Sequence, residues 1–224
     1  NTDDPDALKN DYLTLSGALG ANVKVADGVA LATNLSSGFR APSVFELYAN
    51  GVHGGVAAFQ VGTPDLDPER AYSADVSVRV RRDRLTAELT GYVNAINNYI
   101  FLENTGDNRG PDGNGPPIYE ANQTDALIPG VEAKVEAQLR PWLHVGGQLA
   151  VLDGTGEDLG GKAGTDGDLP LLPANNVQGF VHLTPDGPGL LRNPRVEVDL
   201  KHSLDKDAAG RFEPFSQFDD LEGG

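Results

Sequence analysis

The sequence has neither cysteine nor methionine in its 224 residues. Without thiols there is no disulfide framework and no thiolate metal site, while the cellular compartment stays open. No apolar run approaches the ~18 residues of a transmembrane helix, and mean hydropathy is −0.32. A helical membrane protein is therefore excluded. A barrel is not, because its alternating strands leave no hydropathy peak. Positive charge is also scarce: 17 Lys and Arg against 33 Asp and Glu give a formal charge of −16. Binding phosphates needs a basic surface, so no nucleic acid partner is expected. A strained G-x-S-x-G turn, which would expose a nucleophile, is absent, as is any phosphate-cradling motif. Glu132 and Glu136 alternate with Lys134 in the manner of one polar strand face rather than an acid–base pair. Neither enzymatic activity nor a cofactor is expected. The chain begins at Asn1 without a signal peptide and reads as a mature product or a piece of something longer.

What the sequence does contain is an apolar period of two. Leu13, Leu15, Leu19, Ala21, Val23 and Val25 alternate with Tyr12, Thr14, Ser16, Asn22 and Lys24. Tyr72, Ala74, Val76, Val78 and Val80 alternate with Ser73, Asp75, Ser77, Arg79 and Arg81. Val131 to Leu139 and Val196 to Leu200 behave alike, whereas no convincing 3.6-residue period appears. The chain is predicted to be all-β, with strands at about 11–25, 29–39, 70–82, 85–101, 118–140, 142–153, 172–184 and 194–204. They pair as four hairpins. Short turns fall at Ala26-Asp27-Gly28, Arg82-Asp83-Arg84 and Arg140-Pro141-Trp142, with a longer link from Pro185 to Asn193. Asp-Gly suits such turns because it tolerates positive φ. Between pairs run long Gly-, Pro-, Asn- and Asp-rich loops at 40–69, 102–117, 154–171 and 205–224.

Most of these strands have the ~9–11 residues that a tilted membrane strand needs. Soluble strands average about five or six. Short turns at one end and long loops at the other match the periplasmic and extracellular ends of an outer-membrane barrel. The polar face would then line a lumen; in a soluble sandwich it would meet water. Trp142 beside a short turn, and Tyr99, Phe101 and Tyr119 beside a long loop, fit interfacial girdles or ordinary turn packing. Acidic stretches at 153–168 and 205–220 solvate the loops or gather divalent cations. Two other readings compete: a soluble all-β module that recognises glycans or protein, and an adhesin-like surface barrel.

Several segments also resemble a known family in wording and order. SGFRAPSVFELYANGVHGG is similar to the strand-to-loop signature of TonB-dependent outer-membrane receptors. VGTPDLDPERAYSADVSVRV resembles the segment by which that family re-enters its barrel. GYVNAINNYIFL, YEANQTDALIPGVEAKVEAQL and LPLLPANNVQGFVHL resemble later strands in the right order. The resemblance covers most of residues 11–204. It implies a plugged barrel of about 22 strands in the outer membrane of a Gram-negative-type bacterium, which binds a scarce nutrient and imports it with energy from the TonB complex. Residues 1–224 then form part of that barrel domain, against outer-membrane lipid, with the plug, the TonB box and the closing strands absent. A partial wall with open edges is expected to aggregate or recruit strands.

The candidate site lies in the loop ELYANGVHGG. Glu46, Tyr48, Asn50 and His53 are its candidate ligand contacts, with His53 the candidate metal ligand and Asp65 and Asp67 further along. Imidazole with carboxylates suits zinc and similar ions. The resemblance implies a metal or metal complex as ligand: a siderophore, haem, zinc or copper. A solvated loop histidine is the plainer reading of His53. His144 and His182 fall on a polar strand face, and His202 also falls on a strand. Arg40 and Glu69 bracket the long loop and are expected to form a salt bridge at its base. DNRGPDGNG and DGTGEDLGGKAGTDGD are rich in oxygen ligands but lack EF-hand spacing, and read as flexible surface loops.

Overall fold

In the computed structural model, residues 12–53, 58–110, 112–157, 159, 167–170, 172–185 and 194–204 are described. The strands are β1 (Gly17–Ala26), β2 (Val29–Arg40), β3 (Asn50–His53), β4 (Ala58–Val61), β5 (Glu69–Arg82) and β6 (Leu85–Asn108). They continue with β7 (Pro117–Arg140), β8 (Leu143–Leu152), β9 (Thr155–Gly156), β10 (Gly167–Asp168), β11 (Asn176–Leu183) and β12 (Val196–Ser203). A five-residue helix, α1 (Val44–Tyr48), lies between β2 and β3. The eight long strands form one antiparallel wall in the order β1-β2-β5-β6-β7-β8-β11-β12. Those are the eight expected strands in the expected pairing.

Register makes the wall two-sided. Val23 lies opposite Leu31, Leu31 opposite Val78, Val78 opposite Leu89, Leu89 opposite Ala133, and Ala133 opposite Leu149. The row continues through Leu149 to Val177. Because strand side chains alternate faces, these rows make a continuous apolar band, and it is exposed: Leu89 is 52% accessible and Leu200 is 72%. Water does not tolerate an apolar patch of that breadth on a lone protein. Next to this row, on the other face, lie Arg79, Glu88, Lys134, Gln148, Gln178 and Lys201. Arg79 pairs with Glu88 at 2.8 Å, and Gln148 donates to Gln178 at 2.7 Å.

The turns at one end are tight. At the β1–β2 turn Gly28 has φ +66°, and a Cβ there would meet the Arg81 carbonyl oxygen at 2.3 Å. The Gly28 carbonyl accepts from the Arg81 amide, tying this turn to β5. The link at 186–193 lies outside the described residues, as do the acids of 205–220.

At the opposite end β6 and β7 run to 24 residues each, far past what a membrane crossing uses. Sequence patterning ends β6 at about 101, because the polar Asn, Asp and Gly residues beyond it look like loop. Cross-strand backbone bonds nevertheless carry the hairpin onward to Asn108 and Pro117. A bulge between Ile96 and Tyr99 marks the change. Asn98 adopts φ +56°, and Asp125 clamps it by accepting from the Asn98 amide at 2.9 Å and the Asn97 side chain at 3.1 Å. One extra residue in β6 reverses which side chains share a face with which of β7.

Both faces of this extension are then covered. Phe101 and Ala126 pack with Leu159 and the fully buried Leu169. Ile100 and Ala121 pack with Leu47 and Leu66. One expectation is corrected here and one open choice is decided. The segment after β8 is not simply a flexible surface loop, since its described part supplies Leu159 and Leu169 to a core. Phe101 and Tyr119 are 7% and 2% exposed, so they are core of the loop assembly rather than interfacial girdle residues. Trp142 sits in the β7–β8 turn and is 46% exposed, which suits an interface.

Candidate functional site

The connection from β2 to β5 is a folded unit. Ser43 caps α1: its hydroxyl accepts from the Glu46 amide at 3.2 Å, and Glu46 returns a bond from the Ser43 amide at 2.6 Å. This capping box is written in the sequence as Ser-Val-Phe-Glu, a helix-start signal that a search for periodicity alone passes over. Past the helix, β3 and β4 form a hairpin with Asn50 opposite Val61 and His53 opposite Ala58. β4 then pairs in parallel with β7, and the Arg109 guanidinium lies 4.3 Å over the Phe59 ring.

Arg40 holds the base of this unit. Its Nη1 donates to both Glu46 carboxylate oxygens at 2.9 Å, while Nε and Nη2 make a two-pronged bond to Glu69 at 2.7 Å. Glu69 also accepts from the Ile100 amide at 2.7 Å, linking the loop to the β6 extension. The expected Arg40–Glu69 salt bridge is present, with Glu46 as a second anion. Partial burial pushes the Glu46 carboxyl up. Hydrogen bonds from Arg40 and Ser43, with the attraction of the guanidinium, outweigh that and hold it below the usual range.

The four candidate ligand contacts therefore differ. Glu46 has both oxygens engaged, so its first role is structural. Tyr48 is half-buried and packs on the Leu47, Leu66 and Ile100 cluster. Asn50 and His53 are exposed at opposite ends of β3, and three residues apart they leave opposite faces. Among the described residues no group of three or more His, Asp and Glu is arranged to hold a metal ion. His144 and His182 lie directly opposite one another on the polar face, near the short turns, and each is 3.9 Å from a carboxylate, Glu136 and Asp199 respectively. The His182 ring stacks on Phe180 with centroids 4.6 Å apart. His202 lies opposite Val177, on the apolar side.

A cavity of about 220 Å³ lies among α1, β4, the β6 extension and Pro170. Phe45, Val61, Tyr99, Leu102 and Pro170 line it, with Glu46 and Gln60 adding polar groups. Burial first, and the nearby Glu69 carboxylate second, push the Tyr99 hydroxyl up, keeping it protonated. Residues 45, 99 and 170 meet only through tertiary folding, so no sequence spacing announces this cavity.

Gly62 closes the unit. Its amide donates to Ala49 at 2.7 Å, and a Cβ there would meet the Tyr48 amide nitrogen at 2.5 Å and the Leu47 carbonyl carbon at 2.6 Å. Backbone cannot step aside as a side-chain tip can. Gly62→Ala is expected to cost the loop about 1–3 kcal/mol, read as faster hydrogen exchange at the Gly62 and Thr63 amides. Unchanged exchange there would refute this packing.

A family profile described as TonB dependent receptor-like, beta-barrel, matches residues 1–216. Among solved structures, the copper transporter OprC superposes with a TM-score of 0.59 at 23% identity, over 75% of this chain and 23% of that one. The siderophore receptor PirA from Pseudomonas aeruginosa gives 0.51 at 18% identity, over 84% and 42% of the two chains. The Serratia marcescens hemophore receptor HasR, solved with its hemophore HasA and heme, gives 0.59 at 17% identity, over 76% and 30%. The chain thus spans less than half the length of each of these proteins, and the likeness extends to the fold of the wall. With the profile match covering nearly its whole length, this chain belongs to the β-barrel family of TonB-dependent receptors.

Proposed function

We propose that residues 1–224 are a sector of an outer-membrane receptor that binds a scarce metal or metal complex outside the cell and imports it with TonB-derived energy. The observation that carries this reading is the folded loop assembly at the long-loop end of a two-sided wall. A barrel that served only as an anchor would not need a loop unit braced by Arg40, Glu46 and Glu69 and packed on both faces of β6 and β7. The apolar band meets outer-membrane lipid, the polar face lines the lumen, and the TonB complex is the partner on the inner side. Asn50 and His53 are the exposed candidate contacts for the incoming ligand, with Tyr48 beside them. Glu46 acts by holding α1 in place.

The test is uptake of radiolabelled metal by cells with and without the intact gene. The panel comprises ferric siderophore complexes, haem, and zinc and copper salts. Loss of uptake for one member on deletion, restored by the full-length gene and lowered by His53→Ala, is the expected result. Equal uptake of every member in both strains would overturn the proposal.

A further inference from the structure

The chain is acidic, with 17 Lys and Arg against 33 Asp and Glu, yet one short turn is basic. Arg79, Arg81, Arg82 and Arg84 fall within six residues at the β5–β6 turn. Arg79 is neutralised by Glu88 at 2.8 Å. Among the described residues, Arg81, Arg82 and Arg84 have no carboxylate within salt-bridge distance. Asp27 of the neighbouring β1–β2 turn pairs instead with Lys24 at 2.9 Å. Exposed guanidiniums left without a carboxylate in so acidic a chain call for an anion from outside it.

The turn is held on both sides. The Arg81 amide donates to the Gly28 carbonyl at 2.8 Å, and the Arg84 carbonyl accepts from the Gln138 amide at 2.9 Å. The Arg82 side chain lies across the β1–β2 turn, where a Cβ on Gly28 would meet its Cδ at 3.1 Å. Beside the two turns is an open recess of about 730 Å³, lined by Asp27, Arg81, Arg82, Asp83, Arg84 and Leu85. Three guanidiniums there meet two carboxylates, one of them already taken by Lys24. Asp83 remains as an opposing charge, so holding an anion needs more than one arginine.

Position decides which anion this is. Arg82 follows Val78 and Val80 in the apolar row of β5, opposite Leu85, the first apolar residue of β6. The recess therefore begins where the apolar band ends. Trp142, exposed in the β7–β8 turn, lies at the same end. A long cationic side chain one step past hydrocarbon reaches headgroup level, and the planar fork of arginine suits phosphate. A zwitterionic headgroup brings its own cation, which unpaired guanidiniums repel, whereas an anionic one does not. We infer that this recess binds the phosphate of an anionic glycerophospholipid in the leaflet beside the short turns. Arg82 and Arg84 are its main donors, and Arg81 adds charge from the polar side. The site rests on the apolar band facing lipid and is independent of what the receptor imports.

The test uses the full-length receptor, stripped of lipid in neutral detergent, and three probes: phosphatidylglycerol, phosphatidylcholine and inorganic phosphate. Relative affinity is read by native mass spectrometry of mixed micelles. The proteins are the wild type, Arg82→Gln/Arg84→Gln, Arg82→Lys/Arg84→Lys, and Arg70→Gln at the opposite end of β5. Arg82 and Arg84 are exposed, so their variants are expected to fold. The wild type should prefer phosphatidylglycerol to phosphatidylcholine. The Gln pair should lose about ten- to thirtyfold of its phosphatidylglycerol affinity, while phosphatidylcholine binding does not move. The Lys pair keeps the charge and should retain most of the binding, which separates lost charge from lost fold. Equal affinity of the wild type for both lipids, or an equal loss in Arg70→Gln, would overturn the inference. Displacement of the lipid by an equal concentration of inorganic phosphate would mark a free-phosphate site and overturn the lipid assignment. Absent phosphatidylglycerol binding with normal insertion into phosphatidylcholine vesicles would overturn the site and leave the lipid-facing wall standing; another part of the receptor would then cover the arginines.

Discussion

Leu89→Arg is expected to destabilise the full-length barrel in lipid by about 2–4 kcal/mol, whereas Gln148→Arg should change it by less than about 1 kcal/mol. The two positions lie in adjacent rows of the same wall: Leu89 is opposite Ala133, and Gln148 is opposite Lys134. Only the face differs. An arginine between Val78 and Ala133 must be desolvated in hydrocarbon, while one beside Gln178 and Lys134 stays in the polar interior, with a modest repulsion from Lys134. The measurement is the urea midpoint of folding into lipid vesicles. Equal midpoints for the two variants would mean that the apolar band does not face lipid, and the assignment of inside and outside would fall.

Arg40→Ala is expected to loosen the whole β2–β5 connection while leaving the wall intact. The substitution removes one guanidinium from two carboxylates, and these are the less accessible partners: the side chains of Glu46 and Glu69 are 22% and 13% exposed, against 45% for Arg40. Solvent screens part of the loss at that exposure, so about 1–3 kcal/mol is expected. Exchange at the amides of Thr63 and Ile100 should accelerate roughly ten- to a hundredfold, with little change at Leu89 or Val135. Arg40→Lys keeps the charge without the planar fork and should fall between. Acid offers a second route to the same state. The Glu46 carboxyl is held below its unfolded value, so its contribution is complete above the usual carboxylate range and is lost as pH falls through the lowered folded value. Protection of the Thr63 amide should therefore persist below the pH at which an ordinary glutamate protonates. Loss of protection at the ordinary value would show that Arg40 does not hold Glu46.

The wall was legible because strand period and hydrocarbon thickness both act locally. Alternation at Tyr72–Val80 or Val131–Leu139 is dictated by which face each side chain must occupy, and a short turn such as Asp27-Gly28 needs only its own backbone freedom. Hairpin pairing and the two faces were therefore readable from neighbours in sequence, and the Arg40–Glu69 brace from the place of each residue at one mouth of the same long loop. The loop assembly was not. Its polar composition looked like surface, yet Leu47 is buried against Leu66, Ile100 and Ala121, and Leu169 against Phe101 and Ala126. No periodicity records contacts that span such separations. The bulge at Asn97 and Asn98 depended on Asp125 reaching across from β7, so the face taken by Tyr99 and Phe101 was set by tertiary contact.

The sequence by itself thus determined a two-faced, eight-stranded sector with short turns at one end and long loops at the other, because each strand's alternation settles which side chains share a face. Tertiary structure alone decided that Glu46 is a brace rather than a free ligand, and that Phe45, Tyr99 and Pro170 enclose a cavity. Those outcomes depend on which distant backbones approach one another, and that approach is governed by packing across the whole assembly.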